Sequence, residues 1–148
     1  MRTLIAIFIS VLILTACNSS KETKTNTPVF SDEFLSEAVI YEVNVRQYTQ
    51  EGTFNAFAKH LPKLKELGVD ILWFMPIHPI GELKRKGTLG SYYSISDYRE
   101  INPEFGTLDD FKSLVDAAHD LEMLVMIDLV AGHTAWDHPW IAAHPEWY

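Results

Sequence analysis

The sequence predicts an α/β fold with a parallel sheet, namely an incomplete TIM (β/α)8 barrel with its first three strands and two helices. Three short apolar runs, each followed by polar or turn residues, have the length of buried strands. Two stretches with apolar residues at helical spacing lie between them, and this alternation indicates right-handed βαβ units. A doubly wound sheet begins in the same way. No glycine-rich phosphate loop follows the first strand, however, which favours the barrel.

The three predicted strands cover Val39–Val45, Ile71–Met75 and Met123–Val130. The second run is continuously apolar and stops at Pro76, as expected of a strand that is buried on both faces of a parallel sheet. The first and third runs are rich in β-branched and aliphatic residues, which favour strands. We therefore expect the three segments to lie side by side.

Each predicted helix has an apolar stripe and a recognisable terminus. The first ends near Gly68, and its stripe consists of Phe54, Phe57, Leu61, Leu64 and Leu67. Pro62 interrupts it, and because proline cannot donate a backbone hydrogen bond we predict a kink or a restart there. The second begins at Thr107 as N-cap, with Asp110 three residues later. Its predicted buried face consists of Leu108, Phe111, Leu114, Val115, Ala118 and Leu121.

The first residues have the pattern of a secretory signal. Arg2 precedes an apolar run that ends well short of the about 20 residues needed to span a membrane. Leu14-Thr15-Ala16-Cys17 resembles the lipobox of bacterial lipoproteins, in which cleavage before the cysteine leaves it lipidated at the new N-terminus. We therefore expect a signal peptide over 1–16, a lipidated Cys17 and flexible tether over 17–29, and the barrel segment over 30–148. An ordinary secretory peptide with an unrelated cysteine is the alternative.

The net charge and the cysteine content limit the kinds of partner that the protein is expected to have. The formal net charge of −8 disfavours nucleic acid and other polyanions but is compatible with a neutral ligand. Cys17 is the single cysteine, which excludes a disulfide framework. Its acyl chains would make a membrane the second partner, and place the protein in the cell envelope. Asn18 after the cysteine favours the outer membrane or cell surface over the inner membrane.

Active sites of barrels lie at the carboxyl ends of the strands, so the residues after each apolar run are candidates. These residues are Tyr48, His78, Tyr92, Tyr93, Asp97, Asp128 and His133. On position alone, a capped loop or a hydrogen-bonded structural group is the more frequent explanation of a single aspartate or histidine there. Several of them lie in a long loop over 77–106, and loops of that length are usually functional or disordered.

The segment after the third strand leaves two further interpretations open. His133, Asp137 and His138 could approach a metal ion, but their spacing fits no common zinc signature. Several aromatic residues crowd the same segment and could either line a ligand-binding groove or pack a loop subdomain. They are Trp136, Trp140, Trp147 and Tyr148.

Three segments, taken in order, resemble the alpha-amylase family of glycoside hydrolases, also called family 13. Gly68–Pro79 resembles the second-strand region of that family. Tyr93–Tyr98, followed by Ile101–Phe111, resembles its characteristic loop and helix start. Asp128–His133 is similar to its first conserved region, usually written D-x-V-x-N-H. Together the resemblance covers nearly all of Val39–Tyr148.

The resemblance implies roles for individual residues. Tyr93 matches the tyrosine whose ring stacks on the sugar next to the scissile bond, and His133 matches the histidine that hydrogen-bonds that sugar. Asp128 matches an aspartate that fixes an arginine on the next strand, which is a scaffolding role. A structural calcium ion is implied for the full-length enzyme, but Gly132 replaces the asparagine that ligates it, which argues against calcium here.

The resemblance also implies the activity of the full-length protein, which is hydrolysis of α-1,4-linked glucans such as starch and maltodextrin by retaining double displacement. The family's catalytic carboxylates follow strands four, five and seven, and a complete barrel takes about 250 residues. We therefore expect these residues to be the N-terminal part of an enzyme and to be inactive alone. The alternative is a short, non-catalytic lipoprotein that binds maltodextrin or acts as a scaffold.

Overall fold

Three parallel strands form one sheet in the structure, which is a computed structural model that describes residues 31–148. The strands are β1 (Ile40–Val43), β2 (Ile71–Phe74) and β3 (Leu124–Ile127). They lie in the order β1-β2-β3, with Ile71 opposite Ile40 on one side and Leu124 on the other. The predicted parallel arrangement is therefore confirmed. The predicted signal peptide, Cys17 and the tether lie outside the described residues.

The described helices include both predicted ones and several short ones. They are α1 (Asp32–Glu37), α2 (Val45–Tyr48), α3 (Phe54–Ala58), α4 (Leu61–Glu66), α5 (Leu108–Asp120) and α6 (Pro139–Ala143), followed by a 3₁₀ turn over Pro145–Trp147. The first predicted helix is divided into α3 and α4, and Pro62 occupies the first turn of α4, where its missing N–H costs nothing. The predicted restart is confirmed. Among residues 31–148, none of the helices has the length and hydropathy that a membrane crossing requires.

The start of α5 follows the sequence pattern closely. The Thr107 hydroxyl accepts a hydrogen bond from the backbone N–H of Asp110, whose carboxylate accepts one from the backbone N–H of Thr107. These reciprocal bonds form a capping box and satisfy two backbone donors that the first turn leaves unpaired. The predicted helix start is therefore confirmed.

The hydrophobic core lies between one face of the sheet and helices α3 to α5. Leu72 and Phe74, at alternate positions of β2, are both fully buried on this face. The ring of Phe74 packs edge-on against Phe57 of α3 and Phe111 of α5, with centroid distances of 5.5 and 5.7 Å. Burial of each such side chain contributes about 1.5–3 kcal/mol to stability. This face therefore holds the helices against the sheet.

The opposite face of the sheet is only half-covered. Trp73 of β2 is half-buried, and its neighbours across the sheet, Glu42 of β1 and Met126 of β3, are exposed. The expectation that β2 is buried on both faces is therefore wrong within the described residues, because only the helical layer covers it. In a closed barrel this second face lines the interior.

Two leucines predicted to be buried are exposed. Leu67 is 71% exposed because it follows the last turn of α4 as its C-cap, and Leu108 is 51% exposed because it opens α5 before the helix turns toward the sheet. Helical spacing alone does not detect either end effect. The other residues predicted for the two stripes are buried or half-buried.

The loop after β2 is ordered and packs against the segment after β3. Ile80 and Ile95 form an antiparallel bridge within it, and both are buried. The Asp137 carboxylate accepts hydrogen bonds from the backbone N–H groups of Glu82 and Leu83, at 2.6 and 3.0 Å. The two long segments at the carboxyl end of the sheet are thus tied together.

Candidate active site

The carboxyl end of β3 places Asp128 at the edge of the sheet. The backbone N–H of Asp128 donates to the carbonyl of Phe74 at 2.9 Å, which continues the parallel ladder one residue beyond β3. The next inward-facing position after Met126 is therefore Asp128, on the half-covered face of the sheet. This is where a barrel carries its functional side chains.

The carboxylate of Asp128 is held by two donors from different parts of the chain. The phenol of Tyr93, in the loop after β2, donates to Oδ2 at 2.8 Å. The indole N–H of Trp73, on β2 itself, donates to Oδ1 at 2.8 Å. Two of the three site residues predicted from the sequence, Tyr93 and Asp128, are thus in direct contact.

The environment of Tyr93 keeps its phenol protonated. The hydrogen bond to Asp128 is the main cause that raises the pKa of Tyr93 to about 12, and burial and the negative charges of Asp128 and Glu42 act in the same direction. The hydroxyl therefore remains a donor throughout the neutral range. Because Tyr93 is still 37% exposed, its ring is accessible to a ligand.

Tyr92 secures the same loop from the side of β1. Its hydroxyl donates to the side-chain oxygen of Asn44 at 3.0 Å, and the guanidinium of Arg46 lies 4.5 Å from its ring centroid. Arg46 in turn forms a 2.7 Å ion pair with Glu104. A ring held by a hydrogen bond at its edge and a cation on its face has little freedom to move. These contacts fix the backbone that carries Tyr93.

His133, the third predicted site residue, lies at the surface. Its carbonyl accepts a hydrogen bond from the Tyr98 hydroxyl at 2.9 Å, a hydroxyl that also lies 2.5 Å from the Val130 carbonyl. Its side chain is exposed, and no hydrogen bond among the described residues joins the imidazole to Tyr93 or Asp128. The convergence of all three side chains on one sugar ring stays a prediction.

An aromatic cavity of about 670 Å³ lies beside the segment that follows β3. Its lining includes Tyr98, Leu129, His133, Trp136, Trp140 and Trp147. Trp140 stacks on Tyr98 at 5.6 Å and meets the edge of Trp147 at 5.5 Å, so these rings pack against one another. Trp136 lies instead under the ammonium group of Lys84, 3.7 Å from its centroid. Mutual packing therefore accounts for part of the aromatic crowding.

The segment after β3 contains the residues considered for a metal ion. Gly132 offers no side-chain oxygen, and residues 31–148 contain no group of three or more His, Cys, Asp or Glu side chains arranged for a metal ion. Backbone donors, Leu83 foremost, occupy the carboxylate of Asp137 and lower its pKa. His138 is buried, its Nδ1 accepts from the backbone N–H of Trp140, and burial lowers its pKa. Asp137 and His138 are thus engaged in holding the loop.

Other polar candidates from the sequence have structural partners. Tyr48 packs edge-on against Phe57 at 4.8 Å, at the margin of the core. The His78 ring N–H donates to the carbonyl of Glu100 at 3.0 Å. The carboxylate of Asp97 accepts from the backbone N–H of Arg99. Sequence reasoning missed Trp73, although an indole N–H within an apolar strand needs an acceptor and so signals a polar neighbour.

A family model and two individual relatives match the chain in sequence. The family model "Alpha amylase, catalytic domain" matches residues 18–146. The chain is 40% identical over 129 residues to an alpha-1,4-glucan:maltose-1-phosphate maltosyltransferase from Rhodospirillum rubrum, covering 75% of this chain and 19% of that protein. It is 32% identical over 152 residues to alpha-amylase 3 of Dictyoglomus thermophilum, covering 99% of this chain and 27% of that protein.

A solved structure is similar to the chain both in fold and in sequence. The crystal structure of an alpha-amylase from Lactobacillus plantarum matches with a TM-score of 0.73 and 55% identity, over 75% of this chain and 26% of that chain. The chain therefore spans between about a fifth and a quarter of the length of these three relatives.

Proposed function

The chain belongs to the alpha-amylase family of glycoside hydrolases, and from that premise we propose that it supplies the first part of a barrel that acts on α-1,4-linked glucans such as starch and maltodextrin. The observation that carries the proposal is the hydrogen bond between Tyr93 and Asp128 at the carboxyl end of the parallel sheet. It joins the two side chains that the family motifs predict, at the edge where barrels place their substrates.

The role proposed for Tyr93 follows from its geometry. One face of a glucose ring is lined by C–H groups and packs well on an aromatic ring, while polar groups nearby fix the hydroxyls. The phenol is bonded to Asp128 at the far end of the ring, and Tyr92 is bonded to Asn44 beside it. Tyr93 is thus a preorganised platform for the sugar next to the scissile bond. His133 is proposed to hydrogen-bond the same sugar.

Asp128 has a scaffolding role in this proposal. Its two oxygens already accept from Tyr93 and Trp73, and each oxygen retains a second lone pair. The resemblance implies that an arginine on the next strand also donates to this carboxylate. Arginine suits that position because it is a charged, bidentate donor. A carboxylate that is held by three donors has a fixed orientation and orients its neighbours in turn.

Cleavage itself requires other residues. A retaining glycosidase needs two carboxyl groups about 5 Å apart, one as nucleophile and one as acid and base. The resemblance assigns both to strands that follow residue 148. We therefore expect residues 1–148 alone to bind glucan at most weakly and to lack hydrolytic activity.

An assay of the full-length gene product tests the proposal. The purified protein is incubated with starch, pullulan, maltose and sucrose, and the products are separated by chromatography. Release of maltodextrins from starch is the expected result, and the other substrates separate hydrolysis from transfer or isomerisation. Binding of maltodextrin without any new product would favour the non-catalytic lipoprotein instead.

We also propose that Cys17 carries lipid and holds the protein in the cell envelope, at the outer membrane or the cell surface. The lipobox-like Leu14–Cys17 supports this, as does the polar tether that follows it. Metabolic labelling with an alkyne-tagged fatty acid should mark the wild type and not the Cys17→Ser variant. Equal labelling of both proteins would exclude lipidation at this residue.

A further inference from the structure

Trp73 occupies a particular place in the sheet. It lies in the carboxyl half of the central strand β2, on the half-covered face, directly opposite Glu42 on one side and Met126 on the other. Asp128 is two residues beyond Met126, so the indole reaches diagonally across to the neighbouring strand. The 2.8 Å bond to Oδ1 therefore links the middle of the sheet to the edge that carries the candidate site.

The two bonds to Asp128 act on opposite oxygens. Trp73 donates to Oδ1 and Tyr93 donates to Oδ2, both at 2.8 Å. A carboxylate that is held at one oxygen only can rotate about the bond that carries it, because that torsion is broad. With the indole in place, Oδ2 is directed toward the phenol of Tyr93.

We propose that Trp73 is a positioning residue that fixes the orientation of Asp128 through its indole N–H, and thereby the pose of Tyr93 under the sugar. This inference rests on the proposed glucan-cleaving function. An indole N–H donates and cannot accept, so Trp73 can only be the donor in its hydrogen bond with the carboxylate.

The test replaces the indole without emptying the site. Trp73→Phe keeps an apolar ring and removes the N–H, and 3-benzothienylalanine at position 73 keeps the size of the bicyclic ring with sulfur in place of the N–H. Tyr41→Phe on β1 is the matched control, because Tyr41 contacts Tyr48 on the helical side of the sheet. All variants are made in the full-length gene product, and thermal melting identifies any that do not fold.

Two readouts are measured on each variant. Loss of a hydrogen bond to a charged group should lower kcat on starch about 10- to 100-fold with KM little changed. The pH titration of Tyr93, followed by NMR of ¹³C-labelled tyrosine, should shift from about 12 toward its ordinary value as Asp128 loses its fixed orientation. Glu42 also faces Tyr93, but these substitutions leave its charge unchanged.

The outcomes separate this inference from the proposed function. The positioning role is supported if both Trp73 variants show a lower kcat and a lower Tyr93 pKa. The control Tyr41→Phe should show neither change. An unchanged Tyr93 titration in the benzothienylalanine protein overturns it. A wild type that cleaves no glucan refutes the proposed function, while the titration still decides whether Trp73 orients Asp128.

Discussion

Tyr93 donates its phenolic hydrogen to Asp128 across 2.8 Å, joining residues that are 35 positions apart in the chain. One belongs to the loop after β2 and the other to the end of β3, so the bond connects two segments that extend over the same edge of the sheet. Because the loop is also fixed through Tyr92 and Arg46, the ring of Tyr93 is held before any ligand arrives. Preorganisation of this kind lowers the entropy that binding costs.

Removal of the phenolic hydroxyl tests this relationship. Tyr93→Phe keeps the aromatic platform but leaves Oδ2 of Asp128 without its donor, and a hydrogen bond to a charged group is worth about 1.5–3 kcal/mol. We expect kcat/KM of the full-length enzyme on starch to fall about 10- to 100-fold. Tyr92→Phe, which removes the neighbouring hydroxyl, should have a smaller effect. Equal losses in the two variants would contradict a special role for Tyr93.

The capping box of α5 should contribute measurably to stability. Thr107→Ala removes the side-chain acceptor for the backbone N–H of Asp110, and loss of such a cap costs about 0.5–2 kcal/mol. Urea unfolding followed by circular dichroism measures the change. Ser113→Ala in the middle of α5 is the control, since alanine favours helices and this serine only bonds the carbonyl of Asp109. Comparable destabilisation by both substitutions would refute the cap.

Close packing at Gly81 should make that position intolerant of a side chain. A Cβ at residue 81 would overlap the side chains of Ala135 and Asp137, whereas a Cβ at Gly132 would meet nothing within 4 Å. We expect Gly81→Ala to destabilise the protein by about 1–3 kcal/mol and Gly132→Ala to have little effect. Differential scanning calorimetry of both variants checks this. A wild-type melting temperature for Gly81→Ala would show that the two loops are not in contact.

The contact of Asp137 with the loop after β2 should depend on pH. Backbone hydrogen bonds, first that from Leu83, lower the pKa of Asp137 from 3.8. Its stabilising contribution is therefore present above the ordinary aspartate pKa and is lost as the pH falls through the lower folded value. We expect Asp137→Asn to be less stable than wild type at pH 6, with a difference that shrinks as the pH falls below about 4. A constant difference from pH 6 to pH 2 would refute the assignment.

Periodic, buried segments could be predicted from the sequence because local pattern and tertiary burial agree in them. The apolar run of β2 and the apolar stripe of α5 pack against each other, as the contact of Phe74 with Phe111 shows. The ends of elements could not be predicted as well, because the exposure of Leu67 depends on where α4 stops. The short helices α1, α2 and α6 contain too few residues for a period to be detected.

The candidate site also contains some residues that the sequence predicts and others that it does not. Tyr93 and Asp128 could be predicted from motifs. Their contact could be predicted as well, because parallel strands end at the same edge of a sheet. The contribution of Trp73 was missed because its neighbours are apolar and its bond crosses to another strand, which no local pattern records. The exposed position of His133 depends on the path of a loop, and loop paths are set by tertiary contacts such as that of Tyr98.

The stereochemistry of cleavage tests the central claim most directly. The full-length gene product is mixed with maltoheptaose, and the anomeric protons of the first products are followed by ¹H NMR before mutarotation. Initial formation of the α-anomer is predicted, since double displacement retains the configuration of the cleaved bond. Initial formation of the β-anomer, or no loss of α-1,4 linkages, would contradict the assignment of this chain to a retaining glucan-cleaving barrel.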